Sequence, residues 1–528
     1  MINLGGFSFS PHTQMIMIIF FVVYSLIIVG LGLYVKFSAR NNANNKLSAF
    51  ITGDGKMNAL EIGMVTATVS MAAGVMIGTP GLAYRVGLIH TLCMSSFFMS
   101  SFVTLGTFGR KFPIMRKRIH ANTISQLMHH RFQSKGVTIA LALCGAIFCT
   151  ILASGQLSGA ARIFSLISGG HYGIGLLIAT VSVAVYTYSG GVKSLARVSV
   201  VQGFIMLAAV IFVGWAEFHN ISAQYGSIQA GFEMLSKMEG MTTKVTTGGW
   251  TPLYAAGIAI VNSWGVTGIP ATLQSTMYYD DPKAMKKGMA ISLAVTSIVM
   301  GIMCIAGPLG SILNQKLETP DLVVLFVSTN FLPSWMSGIV VCGIFAAIQS
   351  SIAGFLVYIA ASIASDLYKG CIKTDAPEES VRKLNMGVII VVVCLAALIA
   401  LHPVDLIQML LIFGTGCCAA AYIFPSMLGA YWEKTTAAGA LAGILGGPIA
   451  YVAAYYASQQ EWYINALGNI HPMIISALTG LVLIIVVSLC TQKKKVIYGI
   501  YRVWFCKDYD EEFALMYDNG KKIRKENQ

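Results

Sequence analysis

Charge is what this sequence has least of. Of its 528 residues only 11% are Asp, Glu, Lys or Arg, while 56% are hydrophobic and the mean hydropathy is +0.71. A soluble domain carries about 25% charged and about 45–50% apolar residues, so the chain has too few solvating groups to cover a globule of its size. That excludes a soluble enzyme, a disordered chain and a disulfide-stapled secreted domain. The 11 cysteines include no CxxC pair, and most lie inside apolar runs, so they read as small buried hydrophobes rather than a transition-metal or redox centre. HExxH and GxSxG are absent, and no carboxylate pair lies within an apolar run. Thr52-Gly-Asp-Gly-Lys56 is followed by Met57 and lacks the spacing of a phosphate loop. No enzyme and no organic cofactor is expected.

What fills the chain is long apolar runs. A spanning helix needs about 20 largely apolar residues, and about thirteen such segments lie near 14–36, 58–84, 88–109, 137–160, 172–190, 198–217, 251–274, 289–313, 335–365, 384–402, 404–430, 436–457 and 470–490. The expectation is an all-α polytopic membrane protein in a plasma membrane, a bacterial inner membrane. Residues 1–13 hold no Lys or Arg and the first run exceeds 20 residues, so a cleavable signal is not expected. That run leads into Lys36, Arg40 and Lys46, which places its C-terminal end in the cytoplasm. Alternating through thirteen spans then leaves Arg85, Arg162, Lys237, Lys244 and Lys316 outside, and the other 30 of the 35 cations inside. The N-terminus is expected outside and the C-terminus in the cytoplasm. The net charge of +13 therefore reports topology; a nucleic-acid face would gather its cations and aromatics on one surface, and no nucleic-acid partner is expected.

Two segments are not plain apolar runs. One carries Met71-Ala-Ala-Gly74-Val-Met-Ile-Gly78-Thr79-Pro80-Gly81, the other Asn262-Ser-Trp264-Gly265-Val-Thr267-Gly268-Ile-Pro270. Gly and Pro at this density break a helix, and freed backbone at membrane depth is tolerated only when it is buried in protein or lines a cavity. Interrupted helices at corresponding positions of two halves point to a solute site. With the first span set aside, these head spans 2–6 and 7–11. Five is odd, so the second set starts from the opposite side of the membrane: a 5+5 inverted repeat with one extra leading helix. Its segments are 1–50 (leading helix and basic loop), 51–217 and 251–430 (the two repeats), 218–250 (an outer loop), 431–490 (two further helices) and 491–528 (a basic tail).

Deep polar groups are hydroxyls and amides, among them Thr66, Thr68, Ser70, Gln156, Asn262, Thr267, Thr272, Gln349, Ser350 and Ser351. Hydroxyls and freed carbonyls are hard oxygen ligands that suit an alkali cation better than a transition metal. Proton relays use buried carboxylates or His, and ionisable groups here sit near span ends. Ser350 and Ser351 have two readings: helix packing with hydroxyls bonded to the preceding turn, or a cation site completed with carbonyls released near Thr68–Met71.

The runs Gly53–Leu88, Tyr186-Thr-Tyr-Ser-Gly-Gly-Val-Lys-Ser-Leu-Ala-Arg-Val-Ser199-Val-Val-Gln-Gly203 and Phe345–Tyr368 resemble the sodium/solute symporter family. Gly268-Ile-Pro270, Tyr279-Asp-Asp-Pro-Lys-Ala, Thr319-Pro-Asp-Leu and Tyr431-Trp-Glu-Lys are similar to its pantothenate-carrying branch. The resemblance covers roughly 14–456. It implies a LeuT-type fold, alternating access, and one sodium ion held by the carbonyls of Thr68, Met71 and Ala347 and the hydroxyls of Ser350 and Ser351. It implies solute contacts at Ser70, Gly74, Val75 and Gln156 and at the second break, with Trp264, Thr267 and Gly268; Trp264 is either a gate or an ordinary packed or interfacial Trp. Two positions depart from the family. Ser199 stands where an acidic residue is frequent, which weakens the case for vigorous sodium coupling, and Ala353 and Gly354 replace hydroxyls that would hold a second sodium. The implied activity is sodium-coupled symport of a small organic solute, a pantothenate-like or other small carboxylate favoured. A proton-coupled or uncoupled carrier and a non-transporting sensor are the alternatives. The sequence does not set the oligomeric state.

Overall fold

The computed structural model describes residues 10–40, 51–53, 56–238, 241, 250–402, 407–492, 504 and 505. Lys46, Lys244, Asp405 and nearly all of the 491–528 tail lie outside the described residues. Within them the only β pairing is an isolated bridge between Lys56 and Tyr279.

In chain order, α1 is Pro11–Arg40, and α2 (Ala59–Ser70) and α3 (Gly74–Val86) form a pair bent by 58°. Then come α4 (Leu88–Ile119), α5 (Ile124–Phe132), α6 (Lys135–Ser168), α7 (Tyr172–Val185), α8 (Gly191–Tyr225) and α9 (Ile228–Lys237). The second half holds α10 (Pro252–Ser263), a tight turn Gly265–Gly268, α11 (Pro270–Gln274), α12 (Pro282–Leu313), α13 (Pro320–Phe331) and α14 (Ser334–Ile372). It closes with α15 (Glu378–Ala400), α16 (Ile407–Tyr431), α17 (Ala437–Ala457), α18 (Glu461–Leu467) and α19 (Pro472–Cys490).

Among the described residues, ten of these helices are long and apolar enough to cross a membrane, and the bent pair makes an eleventh. The expected segments near 172–190 and 251–274 coincide with the shorter apolar helices α7 and α10. The connections between the expected apolar segments carry helix of their own. In 110–136, α4 runs on to Ile119 and α5 follows; in 218–250, α8 runs on to Tyr225 and α9 follows.

Local chemistry explains the helix starts. Asn58 and Glu61 form a reciprocal capping box at α2. Thr251 before Pro252 and Asp281 before Pro282 each cap a helix whose first residue has no N–H to satisfy. Between α7 and α8 the backbone turns at Gly191, φ 56° and ψ −151°, a conformation only glycine adopts cheaply.

The core is built around α14. All residues from Val340 to Ala361 are buried, and α14 packs on α1, α2, α6 and α8. By contrast α1 leaves Val23, Leu26, Ile27 and Tyr34 exposed, an apolar outer surface suited to lipid. The packing pairs match across the halves: α2 lies on α12 and α10 on α4, while α8 lies on α14 and α16 on α6. Gly63 and Gly288 let α2 and α12 approach closely, since a Cβ at either would fall within 2.9 Å of Ile291 or Ile62.

Candidate functional site

The first break opens where α2 ends. Ser70 Oγ donates to the Thr66 carbonyl at 2.8 Å, Met71 leaves helical geometry at φ −92° and ψ 82°, and α3 restarts at Gly74. The first N–H groups of a helix have no partner within it. Here Gln156 of α6 supplies one: its Oε1 accepts from the Ala73 N–H at 2.6 Å. At the second break Trp264 closes α10, Ile269 is extended and Pro270 starts α11. Gly268 is obligatory there, because a Cβ would lie 2.5 Å from the Ala419 Cα of α16.

The two serines of α14 meet the first break. Ser350 Oγ donates within 3.0 Å of the carbonyl oxygens of Thr68 and Ala347. Ser351 Oγ lies 3.3 Å from the Thr68 carbonyl, 3.0 Å from that of Val69 and 3.0 Å from that of Ala347. Both serines are fully buried. Five neutral oxygens thus converge at the junction of α2 and α14. Four of the five expected groups are in this cluster. The carbonyl of Val69 joins it, while that of Met71 is not among the contacts of the two hydroxyls. Each hydroxyl has one proton to share among several carbonyls, so the cluster holds more acceptor capacity than its own donors satisfy. A desolvated sodium ion is a substrate that fits such a set of hard, uncharged oxygens.

Beside the cluster lies a cavity of about 50 Å³, room for a few water molecules. Ser70, Gly74, Val75 and Gln156 line it, as expected from the sequence, together with Asn262, Gln408 and Thr415 and an apolar wall that includes Phe97 and Phe355. No charged side chain lines it. The other expected contacts lie elsewhere. Trp264 is 40% exposed, and Thr267 is buried with its Oγ bonded to that of Thr104 at 3.0 Å. Gly268 packs on α16.

The sequence reading missed Gln408. Its Oε1 has no hydrogen-bond partner and sits where a Cβ at Gly74 or Gly78 would lie 2.8 Å away. The one available signal was an amide at the head of an apolar helix. Ser199 is fully buried, and its Oγ is without a partner. Gly203, one turn on along α8, faces Met64 and Thr68, so α8 runs beside α2, the first half of the broken helix.

Comparison with known proteins places this geometry. A model of the "Sodium:solute symporter family" matches residues 50–447. The chain is similar to the sodium/pantothenate symporter of Escherichia coli (strain K12), 28% identical over 90% of this chain and 96% of the relative. It is also similar to the sodium/proline symporter of Haemophilus influenzae, 23% identical over 85% of this chain and 90% of that one. Among solved structures, a substrate-bound outward-open Na+-coupled sialic acid symporter superposes with a TM-score of 0.74, at 19% identity over 91% of this chain and 99% of the other. A nucleobase-cation-symport-1 family transporter in a closed conformation superposes at 0.50, with 12% identity over 90% and 99% of the two chains.

Proposed function

The chain belongs to the sodium:solute symporter family, a membrane transporter that couples solute movement to sodium, and from that premise we propose that it carries a small carboxylate of the pantothenate kind inward with one sodium ion. The proposal includes thirteen spans with the N-terminus outside. It also includes the sequence-derived sites: Thr68, Ala347, Ser350, Ser351 and Met71 for sodium, and Ser70, Gly74, Val75 and Gln156 for the solute, with Trp264, Thr267 and Gly268 at the second break. The observation that carries it is the convergence of both α14 hydroxyls on the carbonyls of the first break.

The mechanism follows from what those atoms connect. The oxygens belong to two bodies: α14, and the broken pair α2/α3. A sodium ion shared between them favours arrangements in which the two stay together, and the same break forms one wall of the cavity. Sodium binding therefore shapes the solute site. A cavity of about 50 Å³ admits no organic solute, so the solute enters only once helices separate. Coupling is the difference in sodium and solute affinity between the two openings. Half-helix ends and backbone N–H groups at the breaks supply positive potential for a carboxylate without a buried Lys or Arg.

Uptake of labelled pantothenate and proline into proteoliposomes, with and without an inward sodium gradient, tests this reading. The expected result is pantothenate uptake that follows sodium. Uptake that follows pH, or proceeds equally without sodium, overturns the coupling. Proline in place of pantothenate overturns the substrate, and sodium-dependent binding of either with no uptake indicates a sensor.

A further inference from the structure

Thr319-Pro-Asp-Leu322 stands out in the sequence, and the central site makes no use of it. In the structure it opens α13, and Asp321 is 1% exposed. Its Oδ2 accepts from Arg162 Nη1 at 3.0 Å and from the Ile407 N–H at 3.4 Å. Its Oδ1 is buried without a partner. Its backbone lies so close to Gly81 that a Cβ there would meet the Asp321 Cα at 2.8 Å.

Each of these three neighbours sits outward, along its own helix, from a residue of the central cavity. On α3, Gly81 follows Gly78, which touches Gln408. On α6, Arg162 lies six residues beyond Gln156, about 9 Å along the axis. On α16, Ile407 lies one turn before Leu411, which lines the cavity. Asp321 is therefore a keystone, holding together the outward ends of the three helices that enclose the site. On its far side is a bowl of about 750 Å³ lined by Arg85, Arg162, Ser165, Thr319 and Glu318 among others. The central cavity below has no charged lining. Of the two arginines of the bowl, Arg162 shares a helix with Gln156 of the cavity and is the one ion-paired to Asp321.

We propose that the bowl is an outer carboxylate subsite and that Arg162 passes from Asp321 to the carboxylate of the arriving solute, so that capture unlatches the roof. The proposal rests on the outward orientation and carboxylate substrate argued above. A guanidinium meets a carboxylate in a planar, two-bond geometry that suits either partner, and Arg85 raises the local concentration of an anion. Glu318 opposes a second negative charge in the bowl, which favours monoanions. Asp321 accepts Arg162 through Oδ2 while its Oδ1 is without a partner, so the carboxylate is engaged at one oxygen only. When Asp321 loses Arg162, α13 loses its tie to α6, and the roof is held only through the weaker contacts at Gly81 and Ile407.

The test uses full-length protein in proteoliposomes, with Ile77→Cys as reporter. Ile77 is 1% exposed and lies against Gly159 under the roof. Its labelling by a membrane-impermeant thiol reagent, above that of the parent chain, reads opening. Expected are slow labelling that pantothenate accelerates and its primary amide does not, fast labelling without solute in Asp321→Asn, and loss of the response in Arg162→Gln. Arg85→Gln raises the KM for pantothenate on the order of tenfold, as for a lost charged contact, with maximal uptake kept. Labelling indifferent to Asp321→Asn overturns the latch. Equal acceleration by acid and amide, or an unchanged KM in both arginine variants, overturns the subsite. Wild-type pantothenate uptake, measured in parallel, separates these failures from failure of the proposed function.

Discussion

The cation cluster contains no formal charge, so each of its oxygens matters through geometry. Ser351 Oγ reaches three carbonyls, and Ser351→Ala deletes that oxygen while leaving a side chain of almost the same volume. Its expected effect is a rise in the sodium concentration for half-maximal uptake of about tenfold, the size of one lost ligand worth about 1.4 kcal/mol. Maximal uptake at saturating sodium falls less. An unchanged sodium dependence removes Ser351 from the site. Asp321 titrates under different control. Burial pushes its carboxyl up to about 6, although Arg162 pulls the other way. A folded-state value above the unfolded one means that the native protein holds the proton more tightly. This contribution to stability is complete below about pH 4 and is lost as the pH rises through about 6. Asp321→Asn should flatten the pH dependence of the thermal midpoint across that window, measured in detergent; an undiminished slope contradicts the burial argument. Ser350 and Ser351 were visible in the sequence because adjacent hydroxyls in a helix of small residues are conspicuous. Asp321 was visible as part of a motif, but its partner Arg162 is 159 positions away, and no local pattern records such a pairing.

The two broken helices were the most legible elements, since Gly and Pro density states the break directly. Their positions are held by neighbours that have no side chain to clash. Gly307 of α12 admits the Pro80 carbonyl of α3, which a Cβ would overlap, and Gly268 admits the α16 backbone at Ala419. Because backbone cannot swing aside as a flexible side chain does, Gly268→Ala forces the second break away from α16. Overpacking of this kind costs about 1–3 kcal/mol. The expectation is a thermal midpoint lowered by a few degrees, as for a chain of this size, together with impaired uptake, whereas the same change at Gly301, which faces open space, leaves both unaltered. Equal effects at the two glycines would show that helix propensity, not the close approach, is at stake. Element ends were the least legible. Nothing in the residues after Glu217 stops a helix, and α8 continues to Tyr225. Glu217, on this helix, is fully buried with both carboxylate oxygens unpartnered. α13 escaped the sequence reading because its apolar stretch is too short to cross a bilayer alone.

For the whole molecule, scarcity of charge and its placement make one argument. Exposed apolar side chains such as Leu26, Ile449 and Leu478 cover the outside, and these would drive aggregation in water. Among the described residues the cations lie towards helix ends and in the connections between helices, and their uneven division between two sides carries the proposed orientation. The proposed orientation puts the Lys283–Lys287 end of α12 in the cytoplasm and Lys316, after its other end, outside. The division of cations carries this orientation, and inserting the same fold the other way up is the alternative. Lys287→Cys and Lys316→Cys, compared with the parent chain in intact cells, separate the two possibilities. The expected outcome is reaction of the Lys316 variant with an impermeant thiol reagent from outside, and reaction of the Lys287 variant only in inverted vesicles. The reverse pattern would turn the Asp321 roof toward the cytoplasm, so that the latch on Arg162 would govern release of the solute rather than its capture.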